Sequence, residues 1–269
     1  MLDALLKGKV SRQVEGMEDM LTSSIFGTFK YHQYDDMLVT WLNEACLEDR
    51  KTFREIGKNI TVDKIDFWPY WSESGCIPCE PDIVIYLSSG QTKWLVLVEA
   101  KYRSGKSSEA NDEEKDSPPN DQLAKEWDNL TKRVLNHDTP EFGMIPKMIY
   151  LTTGFAYPKM EIDASCKDFH KCTTHHNFEC YWLSWRHLHS LLEKHRNSRQ
   201  LEDLFALLQR FSLFFYHGFH EIIDYQNKWS FLPFSFHNKK RQQINWEFIP
   251  FDFSNITEFK TIWRYNNEQ

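Results

Sequence analysis

Two apolar runs, PDIVIYL and WLVLVEAKY, carry Asp82 at the start of the first and Glu99 and Lys101 at the end of the second. SSGQTK joins them, so short β-rich flanks with Ser88, Ser89 and Gly90 between them predict a hairpin. Facing residues of an antiparallel pair have numbers with a constant sum. Asp82 and Glu99 sum to 181, which centres the turn between Gly90 and Gln91 and sets the two carboxylates opposite each other at the open end. Alternation along a strand puts Glu99 and Lys101 on one face. Such a cluster at the end of an apolar hairpin is costly unless it binds something. Paired carboxylates are the hard oxygen donors that a small divalent cation takes, and a lysine beside them can hold or move a proton.

The elements that must position this cluster are legible in the hydrophobic spacing. Val14, Met17, Met20, Leu21 and Ile25 predict a helix over residues 11–30, and Met37, Leu38, Trp41, Leu42 and Ala45 a second over 35–49. Residues 60–71 predict a first strand, stopped near Pro69. After the hairpin, Leu123, Trp127, Leu130 and Val134 mark a helix over 121–134, and KMIYLTT a buried strand over 147–153. A further strand over 178–183 leads to a helix that Ser184 would cap, with another helix over 199–215. Residues 216–269 are rich in Phe and Trp with weak periodicity, and are expected to pack on the core as an extension.

Bulk composition is that of a soluble globular chain: 41% apolar and 26% charged over 269 residues. The 15% aromatic share implies a substantial core. No run is long enough for a membrane span, and the N-terminus lacks a signal-peptide pattern. Six irregularly spaced cysteines do not suggest a disulfide framework, so a reducing cytoplasm is expected. The net charge of −7 is awkward for a nucleic-acid binder. Much of it is local: Glu109 to Asp128 holds eight acids against two lysines, around Pro118-Pro119, as a solvated loop would.

Pro81-Asp82 with Glu99-Ala100-Lys101 resembles the PD-(D/E)xK signature of the restriction-endonuclease-like nuclease superfamily. The resemblance covers residues 1–155, with 156–269 as a C-terminal extension offering partner or DNA contacts. It implies an α/β fold with a restriction-endonuclease-like αβββαβ core: a mixed central sheet flanked by helices, followed by a helical, aromatic-rich extension. It further implies that Asp82 and Glu99, with the Ala100 carbonyl, ligate Mg²⁺ or Mn²⁺ and that Lys101 is the catalytic lysine. Glu18 in EDMLTSSIFG suits the family's first-helix glutamate, which reaches the metal, with Glu15 its competitor one turn earlier. Gln122 in DQLAKEW suits the glutamine that some subfamilies place after the ExK strand.

The activity implied is hydrolysis of DNA phosphodiester bonds, as the effector nuclease of a bacterial antiphage system. The alternatives are a stand-alone dimeric type II restriction endonuclease or a non-catalytic nuclease-fold binding module. Arg103, Lys106 and Lys125 are candidate contacts to the nucleic-acid backbone. The acidic balance and the lack of a DNA-reading module point to a partner subunit or homo-oligomer that delivers DNA. The segment AKYRSGKS also fits a relaxed phosphate-loop pattern, but the acidic SEANDEEKDSPPN after it has no apolar face for the required helix. Cys166, His170, Cys172, His175, His176 and Cys180 match no zinc-finger class, only the pair Cys76/Cys79 has CxxC spacing, and all are read as loop and core residues.

Overall fold

A computed structural model describes residues 6–7, 18–31, 34–53, 60–102, 104–109, 118–172 and 177–215. The helices are α1 (Glu18–Phe29), α2 (Asp35–Leu42), α3 (Gln122–Leu135), α4 (Lys159–Cys172), α5 (Trp185–His195) and α6 (Arg199–Arg210). The strands are β1 (Thr61–Phe67), β2 (Ile83–Ser89), β3 (Thr92–Ala100), β4 (Ile145–Thr152) and β5 (Cys180–Ser184). They form one open, mixed sheet in the order β1-β2-β3-β4-β5. The first three strands are antiparallel neighbours, and β3, β4 and β5 run parallel.

The hairpin has the register its sequence demands. Ile83 faces Val98 and Ser89 faces Thr92, so every pair sums to 181. Gly90 takes φ +62° at the first central position of the two-residue turn, where a Cβ would strain the backbone. β3 is the middle strand and is buried on both faces from Leu95 to Val98, as a sheet covered on both sides requires.

Alternation along β3 sorts the two layers. Trp94, Val96, Val98 and Ala100 join a core with α1, α2, α5 and α6. Leu95 and Leu97 join a second core with Leu123, Trp127 and Leu130 of α3 and Ile162 and Phe169 of α4. The first core is aromatic at its centre, where Trp41 lies 5.7 Å from Trp185 and 5.5 Å from Phe26, ring centroid to centroid. That contact ties α1, α2 and α5 together beneath the end of β3.

Several elements end earlier than their patterns suggest. Residue 42 closes α2 because the backbone of Cys46 exchanges hydrogen bonds with Trp182 on the edge strand β5, at 2.9 and 2.8 Å. β1 stops at Phe67, where Trp68 adopts φ +48° ahead of Pro69. α6 stops at Arg210, with Ser212 at φ +58° just beyond. Helix α4 was not expected at all: Lys159–Cys172 carries six charged residues and two cysteines, which mask the modest apolar face of Ile162 and Phe169. The sheet also takes its last strand from beyond residue 155, and α5 follows with Ser184 as N-cap. The aromatic run 216–269 lies outside the described residues. Among the described residues no helix is long and apolar enough to cross a membrane.

The start of α3 is fixed by charge. Asp121 caps the helix, accepting from the amides of Leu123 and Ala124, and its other oxygen pairs with the Lys106 ammonium. Asp168 of α4 accepts from the amides of Asn120 and Asp121 at 2.9 and 2.8 Å. Asp121→Ala therefore removes a cap and strands a buried ammonium. Unfolding in urea should show a loss of about 3–5 kcal/mol. Asp121→Asn, which keeps the cap, should fall between that variant and wild type.

Candidate active site

The charged residues gather at the carboxyl end of β3, next to the carboxyl ends of the parallel strands β4 and β5. Open α/β sheets commonly bind ligands at such an edge. Asp82 stands one residue before β2, opposite Glu99 by the register, and its Oδ2 accepts from the Ala100 amide at 2.9 Å. Glu99 has the parity of Leu95 and Leu97, so it enters the layer of α3. There the Gln122 side-chain amide donates to Glu99 Oε1 and, at 3.3 Å, to Glu126 Oε1. The Gln122 carbonyl oxygen accepts from the Ser107 amide at 2.7 Å, which fixes the orientation of the side chain.

Lys101 follows directly after β3. Its ammonium lies 2.6 Å from Glu99 Oε1 and 3.2 Å from Glu18 Oε1. Its own amide donates to the Leu151 carbonyl at 2.7 Å, and its carbonyl accepts from the Trp185 indole at 3.2 Å. Thus β4 and α5 both hold the backbone from which the lysine projects.

Glu18 arrives from the opposite layer. It opens the stripe Leu21, Thr22, Ile25, Phe26 and Phe29, the buried face of α1, so packing of that face turns Glu18 toward the strand end. Its Oε2 accepts from the Tyr102 amide at 2.7 Å and from the Ser104 hydroxyl at 2.5 Å. The Tyr102 ring packs edge-on against Phe211, 5.2 Å between centroids.

The electrostatics follow from burial. Glu99 and Glu126 are each 1% exposed and Lys101 is 7% exposed. Burial, aided by the Asp82 charge, pushes the Glu99 carboxyl up to about 7. Burial also pushes Asp82 up to about 6, against the opposing pull of the Ala100 amide and Lys101. Glu126 is driven well above the ordinary carboxyl range by burial and by Glu99. Burial works against the charge on Lys101, but Glu99, Glu18 and Asp82 outweigh it and hold the ammonium protonated. Oε2 of Glu99 and Oε2 of Glu126 are both buried without a hydrogen-bond partner. Burial and the neighbouring Glu99 charge favour the protonated form of Glu126.

Sequence reasoning placed Asp82, Glu99, Lys101, Glu18 and Gln122, and the structure brings all five together with Ala100. It missed Glu126, whose one available signal was its position one turn after Gln122. The basic candidates lie differently. Lys106 points inward, its ammonium engaged by Asp121, Ser165 Oγ at 3.1 Å and the Glu161 carbonyl at 3.3 Å. Lys125 is half-buried and donates to Ser108 Oγ at 3.2 Å. Arg103, Glu15, His175 and His176 lie outside the described residues. None of the six cysteines is in a disulfide. Burial pushes Cys76 up to about 12 and Cys79 higher still, the opposite of a reactive thiolate.

A divalent cation fits the site in one respect: the register sets Asp82 and Glu99, two hard-oxygen donors, on opposite strands at the same level, and Glu99 Oε2 lacks a partner. Among the described residues no group of three or more His, Cys, Asp or Glu side chains is disposed to hold a metal ion. Two side chains plus backbone and water is nevertheless a donor set that Mg²⁺ accepts, since it keeps much of its water. Comparison with family models, with curated proteins and with solved structures found no match.

The raised carboxyls have a signed consequence for stability. Between pH 4 and 7 the folded chain holds protons at Asp82 and Glu99 that the unfolded chain has released. Their contribution to stability is therefore largest at low pH and is lost as the pH rises through about 6 to 7. Asp82→Asn should gain stability relative to wild type on going from pH 5 to pH 8, by on the order of 2 kcal/mol in cation-free urea titrations. A difference that stays flat with pH would contradict this assignment.

Proposed function

We propose that the chain is a metal-dependent nuclease of the PD-(D/E)xK class that hydrolyses DNA phosphodiester bonds, with a restriction-endonuclease-like core. The observation that carries this reading is the convergence of Asp82, Glu99, Lys101 and Gln122 at one strand end, in the order and on the elements that the signature implies. The succession of a helix, three antiparallel strands, a helix and a parallel strand supports it as well.

Asp82, Glu99 and the Ala100 carbonyl would hold Mg²⁺ or Mn²⁺. When bound, such an ion lowers the pKa of its water and screens charge on the reacting phosphate. The chain's own contribution is orientation and charge. Lys101 stays protonated beside Glu99, where its ammonium can hold the attacking water or a phosphate oxygen. Gln122 fixes the Glu99 carboxylate by donating to its Oε1. The raised carboxyls of Asp82 and Glu99 favour filling of the site as the pH rises, because a cation must displace their protons.

The setting proposed is a bacterial antiphage effector in the cytoplasm, in keeping with six cysteines outside any disulfide. A partner subunit or a second copy would deliver the DNA, because the chain carries net charge −7 and Lys106 is committed internally.

The test is nicking of supercoiled plasmid in Mg²⁺ or Mn²⁺, with wild type beside Asp82→Ala and Lys101→Ala. Each variant should lose activity by about 100-fold or more. Cleavage by Asp82→Ala equal to wild type would overturn the site. Defined fragments rather than mixed products would identify a site-specific restriction enzyme. Intact plasmid with every chain, including wild type, would favour a binding module.

A further inference from the structure

We infer that Glu18 is a positioning residue that clamps Lys101 and the backbone behind it, and that it does not ligate the cation; this rests on the nuclease reading of the same site. Both Glu18 oxygens are already engaged. Oε1 lies 3.2 Å from the Lys101 ammonium, while Oε2 accepts from the Tyr102 amide at 2.7 Å and the Ser104 hydroxyl at 2.5 Å. One carboxylate on α1 therefore grips three donors within four residues of the strand end. To bind a cation through Oε2, Glu18 would have to release two of them and leave the Tyr102 amide without that acceptor.

The geometry gives this clamp a task. Lys101 has two carboxylate partners, and the closer one, Glu99, is also the residue with an unpartnered buried oxygen. Were Glu99 to share its charge with a bound cation, its hold on the ammonium would weaken. Glu18 is then the anion left to Lys101. Because it also grips the chain at Tyr102 and Ser104, it keeps the lysine at the strand end. The Trp185 indole on the Lys101 carbonyl and the Phe211 ring on Tyr102 brace Lys101 and Tyr102 from α5 and from the end of α6. Glu18 thus acts on the reacting groups through Lys101.

The full chain as wild type, Glu18→Gln, Ser104→Ala and Asp82→Ala separates clamp from ligand. Binding of Mn²⁺ without DNA, followed by calorimetry, should be within about threefold of wild type in Glu18→Gln and weakened at least about tenfold in Asp82→Ala. Hydrogen exchange at the Tyr102 amide should speed up about tenfold or more in a further variant, Glu18→Ala, which leaves no acceptor there, and less in Ser104→Ala. In the nicking assay the maximal rate of Glu18→Gln should fall about 10- to 100-fold, with the Mg²⁺ concentration for half-maximal rate unchanged. Loss of Mn²⁺ affinity in Glu18→Gln equal to that of Asp82→Ala, or unchanged exchange at Tyr102, would overturn the clamp. Failure of wild type to bind Mn²⁺ would instead sink the nuclease reading, and the exchange at Tyr102 would still decide whether Glu18 holds the segment. Glu18→Gln is isosteric, and Ser104→Ala loosens the same grip without touching α1, so neither result depends on an unfolded variant.

Discussion

The Lys101 ammonium, almost wholly out of water, lies against Glu99 and within reach of Glu18, and the architecture around it follows from keeping that charge inside. Each buried ion costs several kcal/mol in lost hydration, which one contact at 2.6 Å offsets only if the remaining donors and acceptors are met. The surroundings meet them unevenly. Positive charge is represented by one lysine, whereas Asp82, Glu99, Glu126 and Glu18 all converge. A neutral amide, Gln122, stands between Glu99 and Glu126 where a second lysine would have balanced the sum. The excess of carboxylate is why burial raises Asp82, Glu99 and Glu126 together, and why the site favours a proton or a cation.

That imbalance is held in place by apolar contacts. β3 carries its hydrophobic residues on both faces, so neither Glu99 nor Lys101 can escape by a slip of register: a one-residue shift would exchange the two cores. Trp41, Trp185 and Phe26 lock α1 and α5 under the strand end, which fixes both the Glu18 carboxylate and the indole that caps the Lys101 carbonyl. On the other side, Asp121 and Asp168 pin the first turn of α3 and so set where Gln122 begins. Precision at the charges is inherited from these two layers.

What could be read from the sequence divides along the same lines. The hairpin register was legible because Gly90 and the strand alternation leave one solution, and it brought Asp82 opposite Glu99. Gln122 was legible through the resemblance, from its place at the start of the helix that follows Glu99-Ala100-Lys101. Glu126 was not, because a buried acid within a helix has the same local pattern as a solvated one; only its neighbour Glu99 makes it part of the site. Lys106 read as a surface base because its partners Asp121 and Ser165 are 15 and 59 residues away. α4 was hidden for a related reason: Asp168, its buried acid, is satisfied by the amides of Asn120 and Asp121, not by anything local. Local pattern reports periodicity and turns, whereas pairing of buried charge is settled by distant chain.

Charge accounting then links the site to what it could meet. A polyanion approaching this strand end finds two deeply buried carboxyls, Glu99 and Glu126, the partly buried Asp82 and Glu18, and one ammonium already claimed by two of its neighbours. Lys106, the nearest further lysine in sequence, is tied to Asp121 and Ser165. On the nuclease reading, therefore, neutralisation of the phosphate must come chiefly from a cation held by Asp82 and Glu99, because the side chains around them add little positive charge of their own. That makes cation binding and substrate binding one event at this site. The same reasoning assigns the grip on the remaining DNA to surfaces away from β3, and the chain's net charge of −7 favours a second subunit as their source.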